Sequence, residues 1–407
     1  MRKSKIRQHL CNLKKRSGCK GPEQKSKISY RNWRRKMKSD NNLSNPKIIS
    51  RTDDIPGVPR EDSENIKKTE EKFPFRSNEY YLSLIDWDDK KDPIRRIIIP
   101  DIHELDERGD LDPSGESDNT VVKGIQHKYG PTALMIISEK CGGVCRYCFR
   151  KRIFLDTDSE TVEDYHEAIE YIRDNPQISN VLLTGGDPLM LKTSILNQVI
   201  SKLREIEHVK IIRIGSRMPA FNPYRILNDS ALIEMIEKFS TDEKRIYIMT
   251  HFSHPRELTK PAVEAVSALL SAGAILANQT PVLRGVNDSP DVISQLLNKL
   301  AETGIAPYYL FQCRPTTGNF CFSVPVEEAY SIIEQAKMKC SGLAKRIRFI
   351  MSHKTGKIEI LGTDDRYTYM KYHQAADPKN YGKFMVFRKN PNARWLEDYK
   401  KSVCESE

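Results

Sequence analysis

Three cysteines fall within eight residues, in the stretch Cys141-Gly-Gly-Val-Cys145-Arg-Tyr-Cys148-Phe-Arg150-Lys-Arg152. Thiolates at a CxxxCxxC spacing on a loop can converge on one cluster, and cysteine thiolates are the usual ligands of [4Fe–4S] centres. Three ligands for four irons leave one iron open, and an open metal position is where chemistry happens. Other uses of cysteine fit less well. A zinc ribbon wants two CxxC pairs, or a CxxC with a His pair, at separations this chain lacks. A thioredoxin-like pair needs CxxC alone and leaves Cys141 unexplained. Three core cysteines are the bland alternative, since free Cys is often buried. A Gly-Gly loop followed by an aromatic and basic residues is a poor setting for it.

The elements that must position this loop follow a regular alternation. An apolar, strand-like run, Ala133–Ser138, leads directly into the cysteines. Further strand candidates are 180–183, 210–214, 245–250, 274–279 and 307–312, with amphipathic helical patterns near 160–173, 191–206, 229–239, 258–272, 288–303 and 326–341. Capping signals precede helices, as at Asp158-Ser159 and Asn287-Asp288-Ser289, and Gly273 and Gly304 follow others. Repeated strand–helix units with apolar strands predict an α/β fold, a parallel sheet with helices outside. Six units fall two short of a closed eightfold barrel. In parallel barrels the working residues cluster at C-terminal strand ends. Polar residues gather there: Thr184-Gly185-Gly186-Asp187-Pro188, Gly215-Ser216-Arg217, Thr250-His251-Phe252-Ser253-His254, Asn278-Gln279 and Gln312-Cys313-Arg314.

At 407 residues the chain can bury a full-sized core. No apolar run approaches the ~18–20 residues of a membrane span, and the basic N-terminus lacks the apolar stretch of a secretory signal. The other cysteines, Cys11, Cys19, Cys313, Cys321, Cys340 and Cys404, form no regular framework, which suits a reducing cytoplasm. The net charge of +11 is unevenly placed: residues 1–52 hold 17 Lys and Arg against Glu23 and Asp40, a balance of +15, while the remaining 49 basic and 53 acidic residues stand at −4. Residues 1–75 read as a basic, flexible extension with too few apolar positions to offset ordering entropy. Its SYRNWRRKM run, with Trp33 among arginines, raises a different class of function, an RNA-binding or RNA-modifying protein. Salt-dependent RNA binding lost on deleting residues 1–52 would support that class. The acidic balance of the rest argues against a broad basic groove. Residues 108–123, rich in Asp, Ser, Gly and Pro, read as loop.

With the cysteine loop, the strand ends and the run Asn78-Glu-Tyr-Tyr-Leu-Ser-Leu-Ile-Asp86 taken together, the chain resembles the radical S-adenosylmethionine (SAM) enzymes. Within them it resembles the lysine 2,3-aminomutase family, over about residues 78–362. The resemblance implies an open six-unit (β/α)6 partial TIM barrel at 131–345, a helical and loop preamble at 76–130, and a C-terminal segment with tail at 346–407. It implies that Cys141, Cys145 and Cys148 hold a [4Fe–4S] cluster whose fourth iron chelates SAM. One electron, from a flavodoxin- or ferredoxin-type donor, then yields a 5′-deoxyadenosyl radical that abstracts hydrogen from an amino acid. Gly185-Gly186-Asp187 matches the segment that holds the SAM amino group, although a strand-to-helix turn needs no ligand. His251 matches the histidine beside SAM, and Gln279 a residue near the deoxyadenosyl group; a packed loop histidine and a satisfied strand-end amide are their plain alternatives. Arg150 matches the arginine that grips the substrate α-carboxylate, as a guanidinium can do bidentately. The implied isomerase is a homo-oligomer that migrates an α-amino group with the help of pyridoxal phosphate (PLP) in Schiff-base linkage to a lysine.

Two departures from the family pattern bear on PLP and substrate. The family's PLP lysine follows a Gly-rich loop. Here Ser352-His353-Lys354-Thr355-Gly356-Lys357 makes Lys357 the matching residue, with a single Gly, and the TGK also reads as an ordinary hairpin turn. At the segment that binds the PLP phosphate, Lys128 keeps one cation and Thr132 replaces the other. Of the two Asp residues that clasp lysine's distal ammonium in the family, the first matches Arg314 and the second falls near Ser352. An arginine there repels an ammonium, so an acidic or neutral distal group is expected beside Arg314, as in the glutamate 2,3-aminomutases. The alternative keeps cluster and SAM and drops PLP, for another hydrogen abstraction on an amino-acid-like substrate. No cysteine set follows Lys357, so no structural zinc is expected, and the Tyr/Lys-rich stretch 363–407 carries no assignment.

Overall fold

The computed structural model describes residues 45–55, 58, 60–155, 160–162, 164–400 and 402–403. The SYRNWRRKM run, Cys11, Cys19, Cys404 and the Asp158-Ser159 cap lie outside them. A short antiparallel pair, β1 (Ile48–Ile49) and β2 (Ser77–Asn78), stands apart from one large sheet of twelve strands. That sheet runs in chain order: β3 (Thr120–Val122), β4 (Ile125–Tyr129), β5 (Thr132–Ser138), β6 (Asn180–Gly185), β7 (Ile211–Ser216), β8 (Arg245–Thr250), β9 (Ile275–Pro281), β10 (Ala306–Phe311), β11 (Arg348–His353), β12 (Gly356–Thr363), β13 (Tyr367–Ala375) and β14 (Phe384–Arg388). Strands β5 to β11 pair in parallel and the flanking pairs are antiparallel, so the sheet is mostly parallel.

The connecting helices lie where the apolar period places them: Tyr165–Arg173, Thr193–Arg204, Ser230–Phe239, Lys260–Ser271, Pro290–Glu302 and Val326–Met338. Each turns one stripe inward. In Thr193–Arg204 the buried set is Leu196, Val199, Ile200 and Leu203, the i, i+3, i+4, i+7 pattern of a helix lying on a sheet. Asp164 caps the first helix by accepting from the His166 N–H, and Asp229 and Thr259 cap two others in the same way. Gly273 and Gly304, at φ 83° and 80°, take the left-handed turn that ends a helix.

Three stretches differ from the sequence reading. The sheet continues past six units at both edges. Thr120–Val122 and Ile125–Tyr129, read as loop and preamble, are strands, because Val122 and Ile125 pair across a tight turn and Ile125 enters the main core. Arg60–Lys72, inside the stretch read as flexible, is a helix anchored by buried Ile66 and Thr69. The unassigned C-terminal stretch supplies β13 and β14. Its Thr368, Met370 and Tyr372 alternate inward, and Met385, Phe387, Trp395 and Tyr399 join the core.

A second core lies between the preamble and the cysteine loop. Tyr81, Leu82, Ile94, Ile97 and Ile98 pack there against Tyr147 and Phe221. Ile97 and Ile98 are fully buried, and each contributes about 1.5–3 kcal/mol of apolar burial. The preamble is therefore the outer wall of the loop. Among the described residues no helix is long and apolar enough to cross a membrane.

Candidate active site

The C-terminal ends of the parallel strands, with β4 and β12, surround a cavity of about 330 Å³. Its lining includes all twelve residues singled out from sequence: Cys141, Cys145, Cys148, Lys128, Arg150, Gly185, Gly186, Asp187, His251, Gln279, Arg314 and Lys357. They come from stretches scattered between residues 128 and 357, and the sheet brings them to one place.

The cysteine loop is fixed from behind. The Val144 N–H donates to the Arg76 carbonyl at 2.9 Å, and the Arg146 N–H to the Ile97 carbonyl at 2.9 Å. The Arg146 side chain, 1% exposed, donates to Glu104 at 2.9 Å and to the carbonyls of Pro74 and Phe73. Gly142 and Gly143 are closely packed: a Cβ on the first would lie 2.5 Å from Met218 Sδ, at the end of a flexible side chain, and one on the second 3.1 Å from Ile98 and Phe221. The three thiols are unpaired. Burial pushes the Cys148 thiol up to about 11 and the Cys141 thiol well above its usual value, and each carries a further rise from a neighbouring cysteine of the trio. Ligation must therefore expel protons. Among the described residues no group of three His, Cys, Asp or Glu gathers tightly enough to hold a single ion. An iron–sulfur cube takes each thiolate on a different iron, and all three thiols line the one cavity.

The Gly-Gly-Asp turn serves packing first. Gly185, at φ 121°, would place a Cβ 2.3 Å from the Ser138 carbonyl oxygen, and Gly186 one 2.6 Å from that of Lys140. The end of β6 thus lies directly on the chain that leaves β5 for the cysteines, so close backbone contact alone demands both glycines. The Asp187 carboxylate, raised to about 6 by burial, accepts from the Leu189 N–H at 3.0 Å, the Ser216 hydroxyl at 2.8 Å and the Arg217 N–H at 2.7 Å. It clips the end of β7 to the end of β6.

Arg217, which the sequence reading named only as part of a strand end, links four elements. Its Nη1 donates to Cys145 Sγ at 2.9 Å and to the Tyr147 hydroxyl, and its Nη2 to Glu257 Oε1 at 2.7 Å. Glu257, with no exposure, also accepts from the N–H groups of Ser253 and His254 and from the Tyr81 hydroxyl. His251 Nε2 lies 3.1 Å from the Tyr147 hydroxyl. Burial, with Arg217 nearby, holds the imidazole well below its usual range and therefore neutral. His254 accepts from the Arg256 N–H through Nδ1 and is a cap. Gln279 stands half-buried in the wall on β9.

Lys357 projects from β12 between two aromatic rings, its Nζ 5.5 Å from the centroids of both Tyr129 and Tyr309 and 3.4 Å from Gln374 Oε1. Burial, reinforced by Arg213, Arg314 and Lys128, pushes its amine down to about 7. Lys128, down to about 8, donates to the His353 carbonyl at 2.9 Å. Arg213, in the middle of β7, lines the same wall and donates to Asn180 at 2.9 Å. It was missed, although a charged residue inside an apolar strand was the available signal.

Glu116 was missed too. Arg150 presents its Nε and Nη2 edge to Glu116 at 2.9 and 3.1 Å, and its Nη1 to the Thr184 hydroxyl at 2.9 Å. Arg152 donates to the same carboxylate at 2.8 Å, and Arg314 Nη1 lies 3.5 Å from it. These arginines hold Glu116 well below the usual carboxylate range, against its burial. The bidentate edge expected to grip a substrate carboxylate is held here by the protein's own. Arg314 lies over the Phe149 ring at 3.8 Å and donates to Ser352 at 3.1 Å, so the two positions of altered charge touch.

The Radical SAM superfamily model matches residues 135–297. An Aquifex aeolicus protein, named provisionally as an L-lysine 2,3-aminomutase, is 51% identical over 352 residues, which cover 86% of this chain and 94% of that protein. The L-lysine 2,3-aminomutase of Clostridium subterminale is 39% identical over 286 residues, 70% of this chain and 67% of that one. The glutamate 2,3-aminomutase of Clostridioides difficile is 37% identical over 287 residues, 70% of this chain and 67% of that one. With three thiols on one cavity wall near the start of the matched segment, and half the residues identical along nearly all of a relative, the chain belongs to the lysine 2,3-aminomutase family of radical SAM enzymes and is an aminomutase-like isomerase.

Proposed function

We propose a PLP-dependent radical SAM 2,3-aminomutase whose amino-acid substrate ends in an acidic or neutral group rather than an ammonium. The six strand–helix units from β5 to β10 would form the open (β/α)6 partial barrel, with the flanking strands as extensions. Cys141, Cys145 and Cys148 would hold the cluster. Gly185, Gly186, Asp187, His251 and Gln279 would border SAM. Lys357 would carry PLP, with Lys128 and Arg213 as cations for its phosphate. When bound, cluster and SAM supply a carbon-centred radical able to abstract hydrogen, and PLP a conjugated π-system through which an amino group can pass.

The residues themselves support this reading. A neutral amine is what attacks a carbonyl, and Lys357 is held near neutrality at physiological pH. Arg213 offsets the loss of the family's second phosphate-binding cation at Thr132. His251, kept neutral, adds no charge beside a sulfonium. Arg314 turns the distal end cationic. The observation that carries the proposal is Lys357, placed in the same cavity as the three thiols with its amine lowered by burial and by three nearby cations.

The test is anaerobic reconstitution with iron, sulfide, SAM and PLP, followed by a panel of amino acids. Turnover of an acidic or neutral amino acid, with PLP absorbance lost in Lys357→Ala, is expected. Preference for lysine would defeat the substrate assignment, and full turnover in Lys357→Ala would move the enzyme to the PLP-independent alternative.

A further inference from the structure

Two cations of the cysteine stretch turn away from the cavity, and one carboxylate meets them both. Arg146 lies between Cys145 and Cys148, and Lys151 follows three residues beyond Cys148. Neither lines the cavity. Both are buried, and both reach back to Glu104, itself fully buried in the short turn Ile102–Leu105.

Glu104 is already engaged. Arg146 Nε donates to its two oxygens at 2.9 and 3.1 Å, and the Asp101 N–H donates to Oε1 at 3.0 Å. Lys151 Nζ lies 3.5 Å from Oε2 and has no hydrogen-bond partner among the described residues. Its surroundings are otherwise apolar and full. The Phe73 ring is centred 4.4 Å away, and a Cβ on Gly318 would lie 2.8 Å from the ammonium. Among the described residues Glu104 is the one carboxylate in contact with Lys151. Two buried cations therefore share a carboxylate that one of them satisfies, and a net positive charge stays buried behind the loop.

A surplus cation in an interior destabilises the fold unless an anion compensates it. The cysteines offer one. Three residues of chain keep the Cα atoms of Lys151 and Cys148 within about 10 Å. Burial lowers the Lys151 amine and Arg146 adds to that, while Glu104, Cys148 and Cys321 raise it. Burial keeps the thiols of Cys141 and Cys148 protonated and uncharged when nothing is bound. Three thiolates around an iron–sulfur cube carry a net negative charge, and reduction adds one more.

We propose that Lys151 is the buried countercharge of the cluster: it favours the loaded protein and the reduced cluster, and it weakens the cluster-free fold. This rests on the cluster assignment. No proton moves and no bond forms, since the charge acts through space.

The experiment compares the full-length wild type with Lys151→Met, an unbranched side chain of similar length without the charge, and with Lys151→Gln. In the reconstituted proteins an anaerobic redox titration followed by EPR reads the cluster midpoint. At about 10 Å and an effective dielectric of about 20, losing one unit charge should lower the reduced-to-oxidised ratio at a given potential about tenfold, or about 59 mV for one electron. Faster loss of iron to a chelator from both variants is the same effect read as affinity. In the cluster-free proteins, urea unfolding should place the Lys151→Met midpoint above that of wild type. A cluster midpoint unchanged in both variants would overturn the proposal. So would a cluster-free Lys151→Met that unfolds before wild type, the result expected of a side chain that only fills space. Wild-type protein that takes up no iron or sulfide would overturn the cluster assignment instead, a separate failure.

Discussion

Replacing Lys357 by Met should stabilise the cofactor-free protein, and by an amount that depends on pH. The Lys357 amine stands at about 7 in the fold against 10.5 in the open chain. That gap, at about 1.4 kcal/mol per unit, sets a ceiling of about 4–5 kcal/mol on what a protonated amine costs at this place. The sign follows from proton counting. Between pH ~7 and ~10.5 the unfolded chain binds a proton that the folded one has released, so wild-type stability rises with pH across that window. The cost is present in full below pH ~7 and is gone above ~10.5. Methionine has no such term. Urea unfolding of both proteins at pH 6.5, 8 and 9.5 should therefore show the Met variant ahead at the lowest pH, with the gap closing as pH rises. Any gain from the apolar side chain itself would be a constant offset. A gap that stays constant with pH, or widens, would refute the depressed amine. With it would go the chemical advantage: at pH 7 about half of Lys357 is free amine, against about one in 3,000 for an ordinary lysine.

Arg217→Gln should lower the midpoint potential of the bound cluster, because it removes both a cation and a hydrogen bond to Cys145 Sγ. A redox titration followed by EPR would show it, and an unchanged potential would mean that the guanidinium serves only Glu257. Glu116→Gln should cost about 3–5 kcal/mol of stability, since three buried or half-buried arginines lose their shared countercharge. An unfolding midpoint equal to wild type would show that the arginines find other partners.

What could be read from the residues alone follows from range. The six strand–helix units announce themselves in periods of two and 3.6, and the cysteines in their spacing, because such signals are local. Glu116 has no local signal: in a loop of Asp, Ser and Gly an acid looks solvated, and Arg150 and Arg152 come 34 and 36 residues later. Arg213 breaks the apolar pattern of its strand, but what it faces is set by Lys357, on a strand that sequence showed only as a hairpin. The C-terminal strands were hidden by composition, since Tyr and Lys on one face mask the Met and Phe that alternate on the other. The glycines at 185 and 186 read as ligand contacts, and the backbone of Ser138–Lys140 behind them adds a packing reason that no local signal announces.

The charge at position 314 ties these observations together. Arg314 is one of the three cations that add to burial in lowering the Lys357 amine, and it is also the residue proposed to meet the substrate's distal end. An Asp there would attract a distal ammonium and would raise the Lys357 amine at the same time, since an anion nearby favours the protonated form. The two effects cannot be separated by altering that residue alone. Glu116 limits how far the field can go: it returns one negative charge to Arg150, Arg152 and Arg314, which keeps three guanidinium groups together at the cavity wall. What remains positive points into the cavity from Arg314, Arg213 and Lys128. A ligand entering such a field gains by bringing anions and loses by bringing a second ammonium. On the proposed function, the cations that add to burial in lowering the Lys357 amine would also disfavour lysine as substrate.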